Sequence, residues 1–258
     1  MAGKTHRGRV RPTNEDAFYA ALAGDDDAAC LCVVADGMGG SNAGEVASDM
    51  AVAIIAEQAE AWLAGKGSCL RHRGGGEASE ALAQAVLAAN ECVYQAGRED
   101  PSKTGMGTTV TAALIADSVM SLVHVGDSRA LLIRAGAARQ LTSDHSLVAE
   151  LMRNGALTEH EAASHPQRNI LTRALGTDSR LALDIHEQTL AVGDVVLLCS
   201  DGVTRHISDE DFVRLAGQGV TPDEIASQLI AYALEQGGLD NLTCVVVSCL
   251  GGAASRDR

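Results

Sequence analysis

Acidic residues in turns are the part of this sequence that could do chemistry. Four acidic turns stand out, and they contain Asn14 to Asp16, Asp36, Asp201 and Asp240. Asp36 and Asp201 each follow an apolar, strand-like run and each precede a glycine, so their carboxylates should lie at strand ends. Carboxylates and free backbone carbonyls are the hard oxygen ligands that Mg²⁺ and Mn²⁺ prefer. As a set, the four turns predict a site for divalent metal ions.

The glycine-rich stretch from Val33 to Glu45 allows two interpretations. Its glycines could curl the backbone around a phosphate, or Asp36 could bind a metal while the glycines clear space around it. A single Asp-Gly pair is also common in ordinary turns, without any function. Because the pattern recurs at Asp201, an ordinary turn is the weaker interpretation, and the choice between a metal site and a phosphate loop stays open at this point.

Charge and composition exclude several classes of protein. The 258 residues carry a net charge of −14, which repels nucleic acid and anionic lipid and argues against a nuclease. The sequence contains neither a signal-peptide apolar region nor an apolar run long enough to span a membrane. Its seven cysteines form no CxxC pair, which is typical of reduced thiols. We therefore expect a cytoplasmic protein that binds neither nucleic acid nor membrane.

The elements that must position the acidic turns are strands in hairpins and a few amphipathic helices. Strand patterns cluster instead of alternating with helices, which predicts antiparallel sheets covered by helices, an α+β fold. One helix should run from Gly44 to about Leu63, and another should begin after Thr221, which has Pro and Glu at the positions of a capping box. We expect one domain over residues 1–250 and a flexible tail over 251–258.

Eight motifs in a fixed order carry a family resemblance. They are GRVRPTNED, VVADGMGGSNAGEVAS, GTTVTAALI, HVGDSRALL, LTSDHSLVAEL, LTRALG, LCSDGVTRHISD and GGLDNLTCVVV. From about Arg7 to Val247 the chain resembles the metal-dependent serine/threonine phosphatases of the PP2C type (PPM), in their compact bacterial form. The resemblance implies a four-layer α-β-β-α sandwich, with two antiparallel sheets flanked by helix pairs and a metal centre at one end.

The resemblance also implies which residues bind two Mn²⁺ or Mg²⁺ ions. Asp36 would bridge both ions. Glu15 and the Gly37 carbonyl would complete the protein ligands of one ion, and Asp201 and Asp240 those of the other. A water that bridges the two ions would then attack phosphoserine or phosphothreonine directly, without a covalent enzyme intermediate.

Three further positions match family motifs around that centre. Asp16 would hold a metal-bound water, and Asp127 together with Asp201 resembles the pair that binds a third, weaker metal in bacterial relatives. Arg11 matches the phosphate-binding arginine, whose planar fork can grip two phosphate oxygens. Taken without the motif, Arg11 would be better interpreted as a solvated surface charge.

The resemblance is incomplete where relatives place histidines. Met38 and Ser41 stand at two such positions, so a metal-bound water is the simpler candidate for the general acid. His145 fits the family pattern, and we expect it to make a structural hydrogen bond. The segment 154–173 corresponds to a mobile flap, which we expect to shape substrate access.

Two alternatives remain beside a phosphatase. One is an inactive module that keeps the fold for binding or regulation, and the other is a different phosphoester hydrolase such as a nuclease. The complete set of acidic positions speaks against the first, and the acidic surface against the second. By resemblance, the partners would be phosphorylated serine/threonine proteins, including a kinase and its targets, and the protein would be a monomer.

Overall fold

The computed structural model describes residues 1–23, 29–40, 43–66, 76–217 and 219–250. The acidic turn at 24–27, Ser41 and the predicted tail at 251–258 lie outside the described residues.

Five strands form one antiparallel sheet. In spatial order they are β1 (Ala2–His6), β11 (Leu242–Ser248), β10 (Val195–Cys199), β7 (Arg129–Arg134) and β8 (Ala137–Gln140). Strands β10 and β11 are neighbours in this sheet and run antiparallel. Asp201, which follows β10, and Asp240, which precedes β11, therefore lie at the same end of the sheet.

The second antiparallel sheet has six strands. Five follow in the spatial order β2 (Asp16–Ala23), β3 (Ala29–Met38), β5 (Val110–Ala116), β6 (Val119–Val125) and β9 (Asp184–Thr189). The two-residue strand β4 (Gly107–Thr108) pairs with the end of β3, next to Asp36.

Helices cover the outer face of each sheet, and the described part of the chain contains seven α-helices. Against the second sheet pack α1 (Ala43–Lys66) and α2 (Gly76–Glu99), while α6 (Asp209–Leu215) and α7 (Pro222–Glu235) pack against the first. The short helices are α3 (Leu147–Arg153), α4 (Glu159–Ala163) and α5 (Asp201–Thr204). The predicted four-layer α-β-β-α sandwich is confirmed.

The sequence of strand β3 is apolar at successive positions and does not alternate between apolar and polar residues, because both faces of the strand are covered. Leu31 and Val33 point into the core beneath α1 and α2, whereas Cys32 and Val34 point into the core between the two sheets. Successive side chains of a strand face opposite sides, so a strand covered on both faces needs apolar residues at every position.

Most of the predicted helices and strands are present. The prediction missed elements that are short or whose side chains are mostly polar. Thr221 Oγ1 accepts from the Glu224 N–H at 3.3 Å and the Glu224 carboxylate accepts from the Thr221 N–H at 2.9 Å, which confirms the capping box. Strand β1, with the sequence AGKTH, was not predicted because an edge strand buries little surface. Within the described residues, no helix is both long and apolar enough to cross a membrane.

Candidate active site

Strand pairing brings the acidic turns to one end of the two sheets. Asp16 begins β2 and lies directly opposite Asp36 on β3. Asp201 begins α5 immediately after β10, and Asp240 comes just before β11, which pairs with β10. Residues that are distant in the chain, from Asp16 to Asp240, are therefore neighbours because their strands pair.

Hydrogen bonds fix the backbone at Asp36. The Asp36 N–H donates to Thr109 Oγ1 at 2.9 Å, and Thr108 Oγ1 donates to the Asp36 carbonyl at 2.9 Å. Thr109 Oγ1 also lies 2.8 Å from Ser128 Oγ, in the turn that contains Asp127. The two threonines of the GTT motif thus connect the Asp36 strand end to the Asp127 turn.

Asp16 is buried and only half satisfied. Ser200 Oγ donates to its Oδ2 at 2.7 Å, and that hydroxyl in turn accepts from the Thr243 N–H at 3.0 Å. Its other oxygen, Oδ1, is buried without a hydrogen-bond partner among the described residues. A buried carboxylate oxygen of this kind is costly unless something else binds it.

The carboxylates perturb one another because they are close together and shielded from water. Burial, together with the charges of Asp16, Asp201, Asp127 and Asp240, raises the pKa of Asp36 well above its usual range. Burial followed by neighbouring carboxylates raises the pKa of Asp16 to about 7 and that of Asp127 to about 7. A cluster with these pKa values attracts cations strongly.

Both Asp-Gly pairs need their glycine for packing. A Cβ at Gly37 would overlap the carbonyl oxygen of Gly44, and one at Gly202 would overlap that of Asn241. The Gly37 N–H donates to the Glu15 carbonyl at 3.0 Å, so it is not free to bind a phosphate. These contacts support the metal interpretation of the glycine-rich stretch over the phosphate loop.

Arg11 lies at the edge of the cluster, in a two-point ion pair with Asp240. Its Nη2 lies 2.9 Å from Asp240 Oδ2 and its Nε lies 2.9 Å from Oδ1. The side chain is about half exposed, 47%, so part of it remains accessible from solvent while it pairs with Asp240.

Two residues of the site were missed by sequence reasoning. Asn241 accepts from the Glu15 N–H at 2.8 Å and donates to the carbonyls of Arg7 and Thr13, each at 2.9 Å, so it fixes the N-terminal loop. Arg205 ion-pairs with Asp201. Its signal was available, because residues four apart on a helix are neighbours.

His145 makes the structural hydrogen bonds that were predicted for it. The imidazole Nδ1 of His145 accepts from the Gly126 N–H at 3.1 Å, and the backbone N–H of His145 donates to the Gly126 carbonyl at 2.7 Å. Gly126 directly precedes Asp127. The Nε2 of His145 lies 3.1 Å from Asp184, which also binds Arg173 at 2.8 Å. The segment 154–173 is therefore connected to the Asp127 turn through Arg173, Asp184 and His145.

Comparison with known proteins identifies this arrangement. The family model described as Protein phosphatase 2C matches residues 2–222 of the chain. The chain belongs to the protein phosphatase 2C family.

Individual members of the protein phosphatase 2C family align over nearly the whole chain. The serine/threonine phosphatase stp of Listeria innocua is 36% identical over 95% of this chain and 93% of its own. The S. agalactiae serine/threonine phosphatase structure has a TM-score of 0.85 and 36% identity, covering 96% of this chain and 98% of its own. The catalytic domain of the phosphatase PstP, solved with two manganese ions, has a TM-score of 0.82 and 36% identity over 97% of each chain.

The donor set of this protein phosphatase 2C family member fits divalent cations. Six carboxylates belong to the site, and they are Glu15, Asp16, Asp36, Asp127, Asp201 and Asp240. In the described chain, Arg11 and Arg205 ion-pair with members of this set, and the remaining carboxylates are oxygen ligands of the kind that divalent cations prefer. No three His, Cys, Asp or Glu side chains of the described residues already converge as ligands, so side chains must adjust around an ion.

Proposed function

We propose that this protein phosphatase 2C family member is a protein serine/threonine phosphatase whose carboxylate cluster binds two Mn²⁺ or Mg²⁺ ions. The observation that carries the proposal is that six carboxylates, including the buried and half-satisfied Asp16, lie near one another at one end of the two sheets. The family membership and the relatives named as serine/threonine phosphatases support the reaction. An inactive binding module would not need to retain the repulsion among these carboxylates.

The proposed ligands are those that the family resemblance implies. Asp36 lies in the centre of the cluster and would bridge both ions. Glu15 and the Gly37 carbonyl would bind one ion, and Asp201 and Asp240 the other. Asp16 and Asp127 are not proposed as ligands of these two ions and have other roles. Asp16 Oδ1, which has no hydrogen-bond partner among the described residues, would bind the water, and Asp127 with Asp201 would hold the third ion.

Bound divalent ions lower the pKa of water and offset charge on the phosphoryl oxygens. Arg11 would hold the phosphate. A guanidinium has five N–H groups, and Asp240 accepts from two of them, so the other three remain available to phosphate oxygens. The same ion pair orients the guanidinium plane before substrate arrives. Met38 has no titratable group, so we assign delivery of the proton to the leaving alkoxide to water.

Phosphate release from a phosphothreonine peptide tests the proposal. We expect release with Mn²⁺ or Mg²⁺, none in excess chelator, and none with Asp36→Asn, because the bridging carboxylate is lost. Direct Mn²⁺ titration of the variant should show at least one site lost. Undiminished release in excess chelator would contradict the mechanism.

The partners and the setting of the reaction are also proposals. Phosphorylated proteins are the substrates, and we propose a serine/threonine kinase and its targets as the source of them. We further propose a cytoplasmic monomer with one catalytic domain over residues 1–250. The free, mostly buried thiols, such as Cys199 and Cys244, support a reducing compartment. Capture of phosphoproteins by Asp201→Asn would identify the substrates.

A further inference from the structure

Two exposed aliphatic residues, Val10 and Leu239, lie beside the arginine that would bind phosphate, and the reaction described above does not use them. Val10 directly precedes Arg11 and is 63% exposed. Leu239 directly precedes Asp240, which pairs with Arg11 at two points, and it is 58% exposed. The two residues, which we call the apolar patch, therefore flank both members of one ion pair at the site.

The two chain segments that carry the apolar patch run side by side. The Arg9 N–H donates to the Gly238 carbonyl at 2.7 Å, and two residues further along the Arg11 side chain reaches Asp240. These contacts extend the antiparallel pairing of β1 with β11 beyond the ends of the two strands. The patch is therefore formed by neighbouring segments at one edge of the site.

Close packing fixes the backbone beneath the apolar patch. A Cβ at Gly8 would lie 2.1 Å from the Asp240 carbonyl oxygen, and one at Gly238 would lie 2.9 Å from Leu234 Cδ2. Both glycines also have positive φ angles, 78° and 54°, which other residues rarely adopt. Because the segments are already held in place, a ligand that binds on the patch has little backbone left to order.

The position of the apolar patch distinguishes it from an isolated exposed residue. Single exposed aliphatic residues are common on proteins and need no function. Val192 is one of them, because it is 75% exposed in the turn before β10, whereas Asp201 follows that strand at its other end. The patch instead adjoins the Arg11 guanidinium, in which three N–H groups remain available to phosphate. An apolar surface continuous with a phosphate site suits a peptide that carries both groups.

The length of a peptide chain limits where its apolar group can lie. Val10 and Arg11 have Cα atoms about 3.8 Å apart, so the patch adjoins the residue that would hold the phosphate. An extended peptide spans about 3.3–3.6 Å per residue, so three residues cover about 10 Å. We propose that Val10 and Leu239 form a subsite for an aliphatic side chain within three residues of the phosphorylated residue of a substrate protein. This inference rests on the proposed function, because that function supplies the phosphorylated substrate.

Peptide kinetics test the subsite by comparing each enzyme with itself. The parent phosphothreonine peptide has serine at the three positions on either side, and each of six further peptides carries leucine at one of those positions. With Mn²⁺, we expect the wild-type kcat/KM for at least one leucine peptide to exceed that for the parent by about 5- to 30-fold, because part of the leucine side chain is buried. The difference should lie mainly in KM.

Substitutions in the apolar patch should remove this preference. Val10→Ser and Leu239→Ser should each lower the leucine-to-parent ratio, and the double variant should bring it to within about twofold of unity, because the apolar surface is lost. Leu239→Met keeps an apolar side chain of similar volume and should retain the preference. A general loss of activity cancels from the ratio, because both peptides are measured on the same enzyme.

Val192→Ser is the matched control, since it removes an exposed aliphatic residue at the opposite end of β10. It should leave the leucine-to-parent ratio unchanged. If the serine variants of the patch do not fold, Val10→Thr and Leu239→Asn provide polar side chains closer in shape to the original ones.

The outcomes separate this inference from the proposed function. Equal kcat/KM for all seven peptides in the wild type overturns the subsite, and so does a leucine preference that persists in the double variant. A preference that Val192→Ser also removes overturns it as well, because the effect is then not local to the patch. If no peptide releases phosphate in the presence of Mn²⁺, the proposed function fails and the inference with it.

Discussion

The Arg11 guanidinium is oriented by its ion pair with Asp240, another residue of the site. This two-point contact fixes the guanidinium while part of the side chain remains accessible from solvent. Two jobs can therefore be separated at this residue: orienting Asp240 and binding phosphate. The fixed orientation lowers the entropy cost of gripping a phosphate.

Replacing Arg11 tests the division between those two jobs. Arg11→Ala should lower kcat/KM for a phosphothreonine peptide by roughly 10- to 100-fold, the effect of losing a charged, two-point hydrogen bond. Metal binding should change far less, because Arg11 is not among the proposed ligands. Steady-state kinetics and Mn²⁺ titration measure the two effects.

The matched control for Arg11 is Arg9→Ala, which removes a nearby exposed arginine. It should leave kcat/KM within a few-fold of the wild type. Loss of Mn²⁺ binding in Arg11→Ala would contradict the role in phosphate binding.

At the scale of elements, the site depends on where the strands end and on which chain segments pack against those ends. Strand β10 ends at Cys199 and helix α5 begins two residues later at Asp201, and Gly202 lets the chain before β11 pass within van der Waals distance. The segment 154–173 contains α4, with its own capping box at Thr158 and Glu161, and it leads to Arg173, which binds Asp184. We propose that this segment shapes substrate access.

Gly202 offers a direct test of the close packing between α5 and the chain before β11. Gly202→Ala puts a methyl group onto the Asn241 carbonyl, so either α5 or the Asp240 turn must move. We expect a loss of about 1–3 kcal/mol in the free energy of unfolding in urea. Activity should fall by more than this stability loss explains, because Asp201 and Asp240 both shift.

Gly65→Ala in α1 is the matched control, since a Cβ there meets no atom within 4 Å. It should be neutral or stabilise by up to about 1 kcal/mol, the usual effect of Ala over Gly inside a helix. Equal effects of the two substitutions would show that packing at Gly202 does not control the site.

For the whole molecule, the two covered sheets and the acidic cluster have opposite effects on stability. The apolar cores on both faces of β3 and between the sheets stabilise the fold. The cluster destabilises it, because folding buries carboxylates such as Asp16 and Asp36 close together. Bound cations offset that repulsion, so metal binding and folding should be coupled.

The stability of the metal-depleted protein should therefore fall as the pH rises. A carboxyl whose pKa is raised by folding stabilises the folded state while it is protonated. This contribution is complete below the ordinary Asp value of 3.8 and is lost as pH passes through the folded pKa, about 7 for Asp16. In chelator, we expect the melting temperature to fall between about pH 5 and about pH 8, by an amount equivalent to a few kcal/mol.

Asp16→Asn is the comparison for this pH dependence, since an amide does not titrate in that range. Its melting temperature in chelator should depend less on pH than that of the wild type, and Mn²⁺ should reduce the difference. The same pH slope in both proteins would show that Asp16 does not carry the effect.

The sequence by itself determined most of the elements and the acidic residues of the site. Some features depend only on residues that are close together in the chain, so the sequence shows them directly. They are the apolar runs ending in Asp-Gly, the GTT and GDSR turns and the capping box at Thr221. The order of eight motifs established the resemblance to a known family, and that resemblance implied the four-layer sandwich. Strand β1 was missed because its residues are mostly polar.

Only the tertiary structure decided which charges meet. Asn241 binding Arg7 and Thr13, and Arg205 lying 3.9 Å from Asp240, depend on β10 and β11 pairing beside the end of β3. A local pattern assigns a side chain to a turn, but electrostatic interaction depends on distance in space and on shielding from water. The pKa of Asp36 and the ion pair between Arg11 and Asp240 are therefore properties of the folded site, whereas the carboxylates themselves could be read from the sequence.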